Sequence, residues 1–203
     1  MFTTRQAGIT AGILYLVTHV TSVTARAVLF AGPLAGDTFD PMLVRLGVLL
    51  EVMLALAVVG TSIALYPIVQ RASEGLALGY VALRTLEAGV ILTGAVAMLT
   101  FASFPSEPAL LELYDWTFVV GPGLVCPANT LVLAVLLYRS RLVPRFIPVL
   151  GLIGAPLVFA INAAKVFGVF GAIESWAGIG VVPIFAWEVS LAVYLIIRGV
   201  RRD

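Results

Sequence analysis

The sequence predicts an all-α integral membrane bundle of six transmembrane helices with both termini cytoplasmic, one transmembrane domain over residues 1–203. Three observations predict it. Of the 203 residues, 61% are apolar and 11% charged, against roughly a quarter charged in soluble domains. Apolar stretches run near 8–30, 43–67, 76–101, 117–138, 146–170 and 177–197, each close to the ~20 residues that cross a hydrocarbon core of about 30 Å. The arginines gather at one side of that six-span arrangement. The same composition excludes a folded module outside the membrane. A net charge of +1 gives no nucleic-acid footprint. A single cysteine gives neither a disulfide framework nor a thiolate metal cluster, so no metal or cofactor is expected.

Each span carries its own marks. The first follows Arg5; its apolar run is too long for a signal-peptide core, and its small-x-small candidate, Ala25-Arg26-Ala27, has arginine in the middle, so it is kept as a span. Within it Tyr15, His19, Ser22 and Arg26 recur at i, i+4, i+7 and i+11, a polar stripe on one helix face. Gly32-Pro33 and Asp40-Pro41 mark the first loop. In the second span Glu51, Ala55, Val58 and Ser62 share a face, and Pro67 marks the next loop. The third holds Arg84 and Glu87 at i, i+3, close enough to pair locally, with Ala88 and Ala95 on the same side; Pro105 and Pro108 follow.

The fourth span opens at Asp115-Trp116, is interrupted by Gly121-Pro122-Gly123 and Pro127, and continues through Asn129. Proline there either kinks the helix or frees carbonyls to line a cavity. Pro144 marks the fourth loop, and Gly168 with Gly171 the fifth. Asn162 and Lys165 are i, i+3 in the fifth span, and Glu188 lies mid-span in the sixth beside Trp187, past Pro183. Gly8/Gly12 and Gly75/Gly79 form G-x-x-x-G pairs at the starts of the first and third spans, a spacing suited to close helix contact within one chain or between copies, so a homo-oligomer is open.

Orientation follows from basic residues, which stay cytoplasmic in short loops. Arg5, Arg71, Arg139, Arg141, Arg145, Arg198, Arg201 and Arg202 fall at one side and Arg45 at the other. The outer loops collect Asp37, Asp40, Glu107, Glu112, Asp115 and Glu174. Tyr66, Tyr138 and Tyr194, near the ends of even-numbered spans, fit interfacial anchors or a faint hairpin repeat.

The spans themselves retain His19, Arg26, Glu51, Arg84, Glu87, Lys165 and Glu188. At about 2.5–3.5 kcal/mol per charge near the bilayer centre, six strong charges facing lipid would cost roughly 15–20 kcal/mol, more than a typical folding stability. They are therefore expected to face inward and pair, Arg26, Arg84 and Lys165 against Glu51, Glu87 and Glu188.

Two readings of that set stand. In one it is structural, fixing helix register without adding net stability, and the protein is a scaffold or sensor subunit. In the other it lines a polar site that binds or passes a small solute, a proton or a lipid headgroup. Glu51, Arg84, Glu87, Lys165 and Glu188 form the expected centre, with His19, Arg26, Asp115, Asn129 and Asn162 as further candidates. A cavity touching three of the central five would favour the second reading. The motifs H-E-x-x-H, G-x-S-x-G, the P-loop and G-x-G-x-x-G do not occur. The expectation is non-enzymatic, with a lipid-modifying intramembrane enzyme as a third alternative.

Polar islands give the chain a resemblance. Arg5-Gln6-Ala7-Gly8 leading to Gly12-Ile13-Leu14-Tyr15-Leu16, Ala82-Leu83-Arg84-Thr85-Leu86-Glu87, Asp115-Trp116-Thr117-Phe118 through Gly121-Pro122-Gly123, and Tyr138-Arg139-Ser140 into Leu142-Val143-Pro144-Arg145 resemble the bacterial membrane-protein family known as domain of unknown function 4386, over roughly residues 5 to 198. The resemblance implies a multi-span protein of a bacterial cytoplasmic membrane. It supplies no activity, substrate or residue role.

Overall fold

A computed structural model describes residues 3–169 and 172–200, the side chains of 172–179 excepted. Gly171, Arg201, Arg202 and the side chain of Glu174, used above for loops and charge counting, lie outside the described residues. All regular structure among the described residues is helical: α1 Thr4–Thr24, α2 Ala31–Ala35, α3 Pro41–Val69, α4 Glu74–Phe101, α5 Ala109–Val120, α6 Cys126–Ser140, α7 Phe146–Val166 and α8 Ala172–Ile197. Two single π-helical turns, Ala25–Leu29 after α1 and Gly121–Val125 between α5 and α6, join these pieces. Six helical stretches are long and apolar enough to span a membrane, among them Thr4–Leu29 and Ala109–Ser140.

The ends of the helices follow local chemistry. Thr3 and Gln6 form a reciprocal capping box on α1, Asp40 accepts from the Met42 amide ahead of Pro41, and Ser73 accepts from the Leu76 amide. Gly36 and Gly168, both at φ 77°, end α2 and the turn after α7 in the left-handed conformation that only glycine adopts freely. Several boundaries differ from expectation, α8 for one beginning at Ala172 rather than 177. The fourth span begins at Ala109 rather than 117, so Glu112 and Asp115 are helical rather than loop residues; Pro67 lies in the last turn of α3 rather than in a loop; and α7 stops at Val166.

The spans form a ring in chain order. α1 packs on α3, α3 on α4, α4 on α5 and α6, α6 on α7, α7 on α8, and α8 closes back on α1. The closure is tight at the end carrying both termini: a Cβ on Gly12 would stand 2.6 Å from the Ala192 carbonyl oxygen. α7 and α8 approach equally closely at Gly154, where a Cβ would meet the Ile184 nitrogen at 2.6 Å. Backbones in contact maximise dispersion between helices where no hydrophobic driving force acts. The pair Gly75/Gly79 behaves differently, since a Cβ at either would meet nothing within 4 Å, so close contact within this chain is not what that spacing serves.

An apolar layer fills the ring near the termini. Leu65, Leu133, Leu137, Leu191 and Leu195 are all essentially inaccessible, as are Tyr80 and Trp187. Outward faces are apolar as well, with Leu56, Ile63 and Val96 exposed, the pattern of a bundle whose solvent is lipid. The half of the ring far from the termini is packed less completely, and it holds the site.

Candidate functional site

The polar residues divide into three groups, and the expected three-against-three pairing is corrected. The first group is dry. Arg84 and Glu87, 2% and 4% exposed, pair within α4 at 3.0 Å (Nη1 to Oε2), as their spacing predicts. Asn129 of α6 donates to the same Glu87 oxygen at 2.7 Å. The Arg84 guanidinium carbon lies 5.1 Å from the Tyr15 ring centroid and 6.0 Å from that of Tyr80, and the two tyrosine hydroxyls hydrogen-bond at 2.9 Å. Nε and Nη2 of Arg84 have no partner among the described residues.

The second group is Glu51 alone. It is 4% exposed and, in place of the expected cation, accepts a hydrogen bond from the Tyr114 hydroxyl at 3.1 Å. The aromatic partners Tyr80 and Tyr114 went unread in the sequence, although Tyr80 lies one helical turn before Arg84 and Tyr114 directly precedes Asp115.

The third group lines a cavity of about 660 Å³ between spans one, four, five and six, in the half of the ring away from the termini. Its ionisable walls are His19, Arg26, Asp115, Lys165 and Glu188, joined by Ser22, Asn162 and Cys126. Of the five residues expected at the centre, two, Lys165 and Glu188, reach it, one short of the three expected of a site built on that centre; the other ionisable walls, His19, Arg26 and Asp115, come from the further candidates. The stripe on the first span is as predicted: Tyr15 is buried at the base while His19, Ser22 and Arg26 face the cavity.

The interrupted fourth span continues through the π turn Gly121–Val125. Its π turn places Pro122 and Gly123 on the cavity wall, and a Cβ on Gly123 would stand 2.6 Å from the Asn162 side chain. The missing side chain thus lets spans four and five meet.

Two polar pairs line the cavity, neither of them among the pairings anticipated. Arg26 bonds Asp115 at 2.8 Å (Nη2 to Oδ1), and its guanidinium stacks 4.2 Å from the Phe118 centroid and 5.4 Å from that of Tyr114. His19 Nε2 lies 3.2 Å from Glu188 Oε2, with Phe185 edge-on to the imidazole at 5.1 Å. The histidine Nδ1 is 2.8 Å from the Tyr15 carbonyl oxygen, an atom that only accepts, so Nδ1 carries a proton. The His19–Glu188 contact then needs a proton of its own, held on either partner. Among the described residues Lys165 has no carboxylate within 4 Å. Asn162 donates to the Val158 carbonyl at 2.9 Å, leaving its amide oxygen toward the cavity side of α7 uncommitted among the hydrogen bonds described.

No curated protein and no solved structure matches the chain. The family model described as "Domain of unknown function (DUF4386)" matches residues 10–199, and the chain belongs to that family.

Proposed function

We propose that the protein is a ligand-binding protein of the cytoplasmic membrane, with both termini cytoplasmic and its cavity open toward the opposite side. The observation that carries this reading is the cavity of about 660 Å³ walled by five ionisable side chains from four spans. That volume lies in the range of small-molecule sites, roughly 300–1,000 Å³, and ionisable groups facing such a space inside a bilayer are functional by default. Binding is favoured over open passage because the apolar layer of Leu65, Leu133, Leu137, Leu191 and Leu195 lies between the cavity and the end bearing the termini. The orientation rests on Arg5, Arg71, Arg139, Arg141, Arg145 and Arg198 lying at that end.

The scaffold reading keeps support at one place. Arg84, Glu87 and Asn129 are buried, joined through Glu87 and not among the residues that line the cavity, as groups that only set helix register would be.

The test is mass spectrometry of molecules that copurify with the protein in mild detergent, comparing wild type with Ser22→Trp, which fills the cavity from a half-exposed position. A species retained by wild type and depleted in the variant, at equal melting temperature and elution volume, is expected. Identical bound species in both proteins would contradict the proposal.

A further inference from the structure

A second cavity adjoins the first. It measures about 520 Å³ and shares Ser22, Arg26 and Phe118 with the larger one. Its remaining walls are wholly apolar: Val23 and Ala27 of the first span, and Ala31, Leu34 and Ala35 of the short helix α2. Val23, Ala27, Ala31 and Ala35 are exposed on the bundle surface, so this groove opens to the surroundings of the helices, where acyl chains lie. Arg26 thus stands at a junction, with a charged chamber on one side and an apolar groove on the other.

The two halves match the two halves of an amphiphile. In the chamber each carboxylate is already engaged, Asp115 by Arg26 and Glu188 by His19, whereas Lys165 has no carboxylate within 4 Å among the described residues; Arg26 Nη1 lacks a partner there too, but it is shielded from the open space. Among the described residues the uncommitted charge is therefore positive, and it complements an anion. The Arg26 guanidinium also lies against the Phe118 and Tyr114 ring faces. We infer that the paired cavities hold a membrane lipid with an anionic headgroup, the headgroup near Lys165 and Arg26 and one acyl chain along the groove formed by Val23, Ala27, Ala31 and Leu34. This inference rests on the ligand-binding reading above and names its ligand class.

The short helix α2 acquires a purpose in this arrangement. The first span unwinds through the π turn Ala25–Leu29, and the chain then doubles into α2 before the loop to α3. That detour supplies three of the groove's apolar walls, Ala31, Leu34 and Ala35, at the depth of the shared Arg26.

Binding is read by native mass spectrometry of the purified full chain against three probes: dioleoylphosphatidylglycerol, dioleoylphosphatidylcholine with the same chains, and sn-glycerol 3-phosphate, which carries a phosphate without chains. Wild type is expected to bind the phosphatidylglycerol at least about tenfold more tightly than the phosphatidylcholine, the effect of a single charge-assisted contact. Lys165→Met should abolish that preference and Lys165→Arg should keep it. Ala31→Trp, placed on an exposed groove position, should weaken both lipids together by about tenfold, corresponding to about 1.4 kcal/mol of lost chain contact.

Equal affinity for the two lipids would overturn the headgroup assignment. Undiminished lipid binding by Ala31→Trp would overturn the groove, and glycerol phosphate displacing phosphatidylglycerol at equal concentration would overturn the lipid as occupant in favour of a soluble anion. A cavity ligand of another class, depleted by Ser22→Trp, would leave the ligand-binding reading standing while overturning this one. The same molecules at the same ratio in wild type and Ser22→Trp would overturn both.

Discussion

Glu87 and Glu188 are the same side chain in the same bundle, and the difference between their surroundings separates packing from binding. Glu87 receives Arg84 from its own helix and Asn129 from a helix packed directly against it, at 4% exposure. Glu188 meets His19 across two spans that pack tightly only near the termini, where Gly8 and Gly12 face Leu195 and Ala192. Farther along the same two helices the facing residues are His19 and Phe185, whose rings hold the backbones apart. Small residues close one end of the helix pair and large ones open the other, so one end is dry core and the other is cavity. A carboxylate's role here is set less by its charge than by the size of the residues a few turns away.

The largest expected effect breaks the dry side. Arg84→Met or Glu87→Met alone leaves one buried charge without its partner and should cost about 3–5 kcal/mol, read as a large fall in the unfolding midpoint. Replacing both with Met should restore most of that stability, since the pair offsets its own desolvation. If the double variant is as unstable as the singles, the cluster does more than fix register.

Next comes the contrast between two identical glycine spacings. Gly12→Val should destabilise by about 1–3 kcal/mol through forced separation of α1 and α8, because the new side chain meets the Ala192 carbonyl. Gly75→Val, at a position with nothing within 4 Å, should leave the monomer's thermal midpoint unchanged. Equal losses would mean that the open face of α4 is covered in the membrane.

Smaller still are effects on the cavity side. Arg26→Met or Asp115→Asn removes a pair whose side chains are 32% and 52% exposed, and solvent screening limits the stability change to about 1 kcal/mol or less. Ligand retention should fall far more than stability. Glu188→Gln should change stability least, because a neutral amide can still bond His19, so a large thermal shift there would assign Glu188 to the packing cluster instead.

Much of this was legible in the sequence because a bilayer leaves few options. Backbone hydrogen bonds must be satisfied within each segment, so apolar length alone revealed the six spans. The i, i+3 spacing revealed the Arg84–Glu87 pair, and the i, i+4, i+7, i+11 stripe revealed which face of the first span bears His19, Ser22 and Arg26. What stayed hidden is what depends on ring order and depth. A count of opposite charges cannot tell that spans one and four meet at the mouth, so Asp115 was counted with the loops and left out of the carboxylates set against Arg26. Glu51 was expected to need a cation because a phenol such as Tyr114 does not register in a charge count. The short helix α2 was hidden because Gly32-Pro33 reads as a turn, whereas Pro33 here occupies a helical turn closed by Gly36.

The central claim, that the buried Arg84–Glu87–Asn129 cluster is closed to solvent while the cavity lined by His19, Arg26, Asp115, Lys165 and Glu188 is open to it, is tested most directly by thiol accessibility. In a Cys126→Ser background, which removes the only native thiol, Asn162→Cys and Asn129→Cys would each be exposed to a membrane-impermeant maleimide on the native protein and again after denaturation. The account predicts rapid labelling at 162 from the side opposite the termini and labelling at 129 only once unfolded. Equal native labelling at the two positions, or none at 162, would contradict it.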